Sequence, residues 1–397
     1  MKMLSYPTVS PEGKNYKEFV EFARSVLEDL ADDVLVIEVP REYQEKHCRE
    51  AGENPRYILL ARFNGAKDTV LHFNGHYDVV PGGQGWTVTS PFKPVVKDGR
   101  VYGRGANDMK GGIAAVIGAL KKASVEGAGF YHNVELALVP DEEIGGECGT
   151  GYLVDRVLEK APDYVLIPEP SGLEHPWHGH KGLLWARIRV KGRNAHASTP
   201  WRGVNAYLLA SRLALSLQEA YTCILSQRRS RYKTIPEEAM YSTVSIGGEA
   251  CVPGGGKTNQ VPGEFSFTVD RRLIPEESVE EARRELEALL RMASISIGGL
   301  DYAVEYPASM DPAINDPGEL YEALRRSGSL AGVEIGEPIV CPGGLDLRYY
   351  TRKGSKALSY GPSGETAHAP DEYVSVEELE KLVHIFNAMM TRRDVWS

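Results

Sequence analysis

The sequence predicts an α/β protein: a mostly parallel mixed sheet flanked by helices, interrupted by an inserted α+β unit of order βαββαβ. Three observations predict it. Apolar runs of strand length at residues 69–73, 133–140, 163–168 and 357–361 alternate with helical segments, as strands joined by crossovers do. Each run leads within a few residues to a histidine or an acidic side chain, the pattern of ligands gathered at the carboxyl ends of an open sheet. The middle of the chain changes character and completes a small α+β unit by itself. With 397 residues the chain exceeds one typical core. We therefore expect one domain over 1–182 and 309–397, and an insert over 183–308.

Residues 16–30 place Phe19, Phe22, Ala23, Val26, Leu27 and Leu30 on one helical face. Strands at 34–39 and 57–62 follow, and the charged stretch 41–55 between them reads as an exposed loop or short helix. The run 69–73 ends at Asn74-Gly75, so His76 and Asp78 stand just past a strand end. There an imidazole can bind a metal through one nitrogen while a nearby carboxylate fixes its tautomer. His-x-Asp alone is common by chance; its neighbours give it weight. A loop at 86–97 leads to Gly99-Arg100-Val101-Tyr102-Gly103-Arg104-Gly105-Ala106-Asn107-Asp108, where glycines allow close turns and Asp108 is delivered at the end. Residues 110–120 continue as a helix of small residues suited to tight packing on a sheet. Nucleotide binding by this glycine run fails, because the third glycine of a dinucleotide motif is missing and no complete Walker motif exists.

The strand at 133–140 runs into Asp141-Glu142-Glu143, that at 163–168 into Glu169, and that at 357–361 leads to His368. In the insert, strands at 185–191, 241–247, 264–271 and 301–306 surround helices at 204–221 and 278–292. The second helix starts after Pro275 and carries the stripe Val279, Ala282, Leu286, Leu289 and Leu290.

In a mostly parallel sheet the strand ends share one edge, so His76, Asp108, Glu142, Glu143, Glu169 and His368 are expected to converge. Mixed nitrogen and oxygen donors suit zinc, cobalt or manganese. A bridging carboxylate with one histidine and one carboxylate per ion would hold two cations roughly 3.5–4 Å apart. Adjacent residues point in different directions, so one of Glu142 and Glu143 can bind metal while the other faces a water as general base. His196, after the insert's first strand, reads on its own as a surface histidine; a functional alternative is donation to a developing oxyanion. His175, His178 and His180 have ligand-like spacing, but a loop is the better reading.

A formal net charge of −10 argues against nucleic acid or an anionic membrane as partner. Five scattered cysteines without a Cys-x-x-Cys pair do not form a disulfide framework or a zinc ribbon. There is no apolar segment of signal-peptide length at the N-terminus and no run of about 18 apolar residues, which points to a cytoplasmic location. A serine hydrolase is disfavoured, since Gly361-Pro362-Ser363-Gly364-Glu365 lacks the last glycine of Gly-x-Ser-x-Gly.

The motifs His76-Tyr77-Asp78, Gly103 to Gly112, Asp141-Glu142-Glu143-Ile144-Gly145-Gly146, Glu169-Pro170, Gly192 to Pro200 and Thr366 to Glu372 run through nearly the whole chain. In this order they resemble the M20 family of metallopeptidases, which includes acetylornithine deacetylase, succinyl-diaminopimelate desuccinylase, aminoacylase and glutamate-releasing carboxypeptidases. The resemblance implies a dinuclear amide hydrolase, with zinc foremost and cobalt or manganese as alternatives. It implies His76 and Glu169 on one ion, His368 and Glu143 on the other, and Asp108 bridging. Glu142 would be the catalytic base and Asp78 would position His76. A non-proline cis peptide is implied after Asp108. The insert would make a homodimer or lid, with His196 reaching the partner's site. Arg271 and Asn259 would hold a substrate carboxylate, and Gly344 would line the substrate. One departure stands out: Gly343-Gly344-Leu345-Asp346-Leu347-Arg348 replaces Gly-Gly-Thr-Ser-Asp-x-Arg, one residue short and without hydroxyls. The implied substrate is an N-acyl amino acid or small peptide with a free carboxylate. The alternatives are a carboxypeptidase or dipeptidase of the same family and, outside enzymes, a non-catalytic small-molecule-binding protein.

Overall fold

A computed structural model describes residues 1–48, 52–364 and 366–397. The chain divides into two units, the first made of Met1–His178, Asn315–Ile339 and Leu345–Ser397, the second of Gly179–Ile314 and Val340–Gly344. The principal strands, in chain order, are β1 (Asp33–Glu38), β2 (Tyr57–Phe63), β3 (Gly65–His76), β4 (Phe130–Val139), β5 (Tyr164–Ile167) and β6 (Trp177–His180). They continue with β7 (Gly182–Lys191), β8 (Thr243–Cys251), β9 (Glu264–Leu273), β10 (Asp301–Met310) and β11 (Lys356–Ser359). The long helices are α1 (Tyr16–Leu27), α2 (Lys110–Glu126), α3 (Ala206–Leu225), α4 (Val279–Ser296), α5 (Glu319–Leu330) and α6 (Val376–Thr391).

In the first unit the strand order is β1-β2-β4-β3-β5-β11-β6. The central four, β4, β3, β5 and β11, are parallel, and their outer neighbours antiparallel. The register pairs His76 with Val139 and Ser359 with Ile167, so four carboxyl ends lie along one edge. Strand alternation explains the two cores. Leu136 and Leu138 face α1, α2 and α6, where Phe19, Ile113, Val116, Leu120, Phe386 and Met389 are buried. Ala137 and Val139 face the other way, towards Val39, Ile58, Leu60 and Leu153. The small residues of α2 matter most at Gly112: a Cβ there would lie 2.0 Å from the Pro168 carbonyl oxygen, so only glycine lets α2 approach the turn that carries Glu169.

The second unit holds a four-stranded antiparallel sheet of order β8-β9-β7-β10. Ile188, Val190 and Val269 pack against Leu213 and Leu217 of α3 and Leu286 and Leu290 of α4. Ser278 and Glu281 close a capping box at the start of α4.

Three local readings need correction. Residues 177–180 form a strand rather than a loop; the charged stretch 41–55 needs none, since a short helix spans Arg41–His47 there, with residues 49–51 outside the described part. The strand at 241–247 runs instead over Thr243–Cys251, with a register shift between Ile246 and Ala250. Cys48 and Cys148 form a disulfide with Cα atoms 6.0 Å apart, across a sequence separation of 100 residues. Such a pair gives no spacing signal, because only the tertiary fold brings the residues together. Among the described residues no helix is long and apolar enough to cross a membrane.

Candidate metal centre

His76 is the last residue of β3, and its ring is buried. Its Nδ1 lies 3.1 Å from the Asp78 carbonyl oxygen and 3.4 Å from Asp78 Oδ1. That contact makes Nδ1 the donor and turns Nε2 towards Asp108 Oδ1 at 3.0 Å and Glu169 Oε1 at 3.7 Å. The other oxygen of Asp108 is 3.2 Å from His368 Nε2, which is itself 3.1 Å from Glu143 Oε2. Asp108 therefore sits between two imidazoles. The predicted convergence of these strand ends is present, although His368 arrives nine residues after β11 and is solvent-exposed.

Two groups result, His76-Asp108-Glu169 and Asp108-Glu143-His368, each with its ligand atoms within 4.8 Å of one another. Glu169 Oε1 is buried with no hydrogen-bond partner among the described residues. A buried carboxylate oxygen without a donor is costly, and a cation is the partner this donor set fits.

The supports explain why these side chains hold their places. Glu372 is fully buried; its Oε1 accepts from the backbone N–H of Asn107 at 2.9 Å and of Asp108 at 3.1 Å. Its Oε2 accepts from Gly105 N–H and, at 2.6 Å, from Arg104. The glycine loop and the His368 segment are thus pinned together on one carboxylate. The peptide bond Asp108–Met109 is cis, as expected. Asp78 does two jobs: besides contacting His76 it accepts the backbone N–H of Glu142 at 3.1 Å and of Glu143 at 3.2 Å.

Asp141 turns away from the cluster. It has φ +65° and makes a buried ion pair with Arg56 at 2.7 Å, while Tyr16 donates to its other oxygen at 2.8 Å. Sequence reasoning did not find Arg56 or Tyr16. The available signal was a charged residue abutting the apolar run of β2, a position where arginine is unusual without a partner.

Burial and the Asp346, Glu169 and Glu143 carboxylates raise the Glu142 pKa well above the usual carboxylate value, against the opposing pull of His76. Burial and Asp108 push Glu143 up to about 6. Hydrogen bonds to Asp108 and Glu143 raise His368 to about 10. Asp108 lies below its usual range: burial opposes the shift, and His368 and His76 together outweigh it.

The second unit carries the remaining predicted residues. His196 is exposed, with Nδ1 2.7 Å from Ser198 Oγ. Asn259 is exposed beside it, its carbonyl accepting from Ala197 N–H at 2.9 Å. Gly344 packs so closely on Met310 that a Cβ would meet the Met310 methyl at 2.4 Å. Arg271 departs from the expectation of a free guanidinium. It is completely buried and bonded to Glu277 at 2.5 Å, because its position in β9 faces the unit's interior. Its neighbour Arg272 faces the other way, partly exposed, and forks onto Asp270 at 2.8 and 2.9 Å. The Nδ1 atoms of His175 and His178 face backbone carbonyls of Glu337 and Asn315, and that of His180 faces Lys181; none joins a cation group among the described residues. Gly256-Lys257-Thr258 lies in a loop before Gln260 rather than opening a helix, so it is no phosphate loop.

A mixed α/β sheet that gathers histidines and carboxylates in this way at the ends of its parallel strands has the donor arrangement of a two-cation metalloprotein. The profile of peptidase family M20/M25/M40 matches residues 72–392. The chain belongs to this family and is a metal-dependent hydrolase of amide or peptide bonds. It is 30% identical over 343 residues to a succinyl-diaminopimelate desuccinylase of Alkalilimnicola ehrlichii, covering 84% of this chain and 86% of the relative. An M20 family metallo-carboxypeptidase, Sso-CP2 of Sulfolobus solfataricus, superposes with a TM-score of 0.75 at 21% identity, covering 98% of this chain and 96% of that one. The Bacillus subtilis YXEP protein, described as a dinuclear metal-binding peptidase of the same family, gives a TM-score of 0.66 at 15% identity over 98% and 95% of the chains.

Proposed function

We propose that the chain is a dinuclear amide hydrolase acting on N-acyl amino acids or small peptides with a free carboxylate. The observation that carries this reading is Asp108, one oxygen on each of two histidine–carboxylate groups, beside the orphaned Glu169 oxygen. In this reading His76 and Glu169 hold one ion, His368 and Glu143 the other, and Asp108 both. Zinc suits the donors best, with cobalt or manganese able to replace it. Bound there, the ions supply Lewis acidity towards the scissile carbonyl and acidify a water. Glu142, left out of both groups, takes the water's proton and passes it to the leaving amine. Asp78 orients His76 and fixes the backbone of Glu142. His196 of the partner subunit donates to the developing oxyanion.

The substrate carboxylate falls to Asn259, since the guanidinium of Arg271 is taken by Glu277 and that of Arg272 by Asp270. A homodimer through the second unit is supported by exposed Trp201, Val204, Tyr207, Leu208 and Leu215, an apolar stripe on and just before α3. Similarity to the Alkalilimnicola desuccinylase supports a desuccinylase, and similarity to the Sulfolobus metallo-carboxypeptidase supports a carboxypeptidase as second reading.

The test is release of free amine from acetyl-, succinyl- and aminoacyl-amino acids by metal-stripped protein, before and after zinc, cobalt or manganese is restored. Activity that returns with metal on one acyl class supports the reading and names the group. Full activity in the stripped protein would end it.

The site's protonation gives a second expectation. His368 holds its proton up to about pH 10, so an incoming cation must displace it. Metal affinity should fall by at least about tenfold per unit as pH drops from 8 to 6, and more steeply below 6, where Glu143 also takes a proton. Chelator competition across this range measures it. A flat profile would remove His368 from the ligand set.

A further inference from the structure

We propose that Arg348 is a positioning residue for Glu142, holding the turn that presents the base; the proposal rests on the base assignment above. Glu142 begins a short turn that Gly145 closes, its N–H donating to the Glu142 carbonyl at 2.8 Å. Gly145 and Gly146 follow with φ of +109° and +70°. Two consecutive glycines in this region have wide backbone freedom and no side chains to anchor them. Something else must fix the turn.

The Gly145 carbonyl is met by two donors. Arg348 Nη2 lies at 2.6 Å and the Tyr349 hydroxyl also at 2.6 Å. The guanidinium is locked in turn: Nη1 donates to the Leu345 carbonyl at 2.6 Å, and its carbon lies 4.4 Å from the centre of the Tyr349 ring. The far end of the loop is held by the same segment. Thr150 donates to Asp346 Oδ2 at 2.5 Å, and Gly146 lies so close that a Cβ would come within 2.3 Å of Asp346 Oδ1.

The bracket is itself referenced to the strand that ends in His76. The Tyr350 hydroxyl donates to Asn74 Oδ1 at 2.9 Å, and Asn74 Nδ2 donates to Thr150 at 3.0 Å. Base loop and His76 therefore share one rigid frame, in which Arg348, with Tyr349, holds the Gly145 end of the Glu142 turn while Asp78 holds its start. A guanidinium aimed at two backbone carbonyls is not presented to a substrate carboxylate, so this arginine acts through the loop.

The experiment compares Arg348→Met, Arg348→Lys and Tyr349→Phe in metal-loaded protein, reading kcat, KM, metal content and amide hydrogen exchange over residues 145–151. For Arg348→Met we expect kcat to fall about 10–100-fold with KM within about twofold, since small misplacement of a catalytic group has effects of this size. Metal content should stay at the wild-type value and exchange over 145–151 should quicken. Arg348→Lys should recover part of the loss, as an ammonium can still reach one carbonyl. If Arg348→Met does not fold, Tyr349→Phe removes a donor from the same carbonyl and should lower kcat less, again without raising KM. A large rise in KM at unchanged kcat would overturn the proposal in favour of substrate binding. Unchanged exchange with unchanged kcat, in Arg348→Met or in Tyr349→Phe, would overturn it too. The base assignment fails separately, by full activity in Glu142→Ala, which leaves the exchange result readable.

Discussion

Replacing Glu142 by alanine is expected to lower kcat by about 10²–10⁴-fold, the usual contribution of a positioned general base, with metal content unchanged. The geometry separates this residue from its neighbour. Glu143 lies 3.1 Å from His368 and belongs to a cation group, whereas Glu142 belongs to neither. Their backbone N–H groups are held by the two oxygens of a single side chain, Asp78. Consecutive side chains on a fixed backbone diverge, so one reaches the ions and the other the reacting water. The pKa shift points the same way. Without bound cations, burial and the carboxylates of Asp346, Glu169 and Glu143 raise the Glu142 pKa above that of an ordinary glutamate, and burial remains when the cations are bound. Alanine at 143 should behave differently, losing metal together with activity. The two variants, assayed for turnover and for bound metal, divide the roles; metal loss in Glu142→Ala would reverse the assignment.

Much of this centre was legible in the sequence because its physics is local. A strand of strong apolar character announces its own end, and residues placed just beyond several parallel ends must share an edge. That reasoning gathers His76, Glu142, Glu143, Glu169 and His368 at one edge without knowing any contact, and it leaves open which of the two adjacent glutamates faces a cation. Asp108 was legible because glycines before it permit the tight approach. What was illegible depends on pairings decided only by the whole fold. Cys48 and Cys148 carry no spacing signal. Arg271 and Arg272 look interchangeable in sequence, yet strand alternation buries one against Glu277 and leaves the other partly exposed. The shortened Gly343–Arg348 stretch reads as a substrate segment with missing hydroxyls. In the structure its Asp346 and Arg348 face the Glu142 loop instead.

Arg56→Met is expected to destabilise the protein by about 3–5 kcal/mol, the cost of leaving a buried charge without its partner. At about 2–4 °C per kcal/mol for a unit of this size, thermal unfolding should begin on the order of 10 °C lower. Arg56 and Asp141 are both buried, and the pair is 2.7 Å apart. The arginine also donates to the carbonyls of Gly52, Asn54 and Pro11, so its removal orphans several acceptors at once. Among the described residues, Asp141 would keep the Tyr16 hydroxyl as its side-chain donor. Because Asp141 immediately precedes Glu142, the loss should reach catalysis: a carboxylate that seeks water pulls the base out of line. Adding Asp141→Asn to Arg56→Met removes the unpaired charge with a residue that tolerates the φ of +65° and should restore part of the stability. It should not restore turnover in full, since the loop then lacks one of its anchors and keeps only those from Asp78 and Arg348. Calorimetry and kcat on the two variants test this. A double variant no more stable than the single one would mean that the carbonyl contacts of Arg56, rather than its charge, hold this part of the fold together.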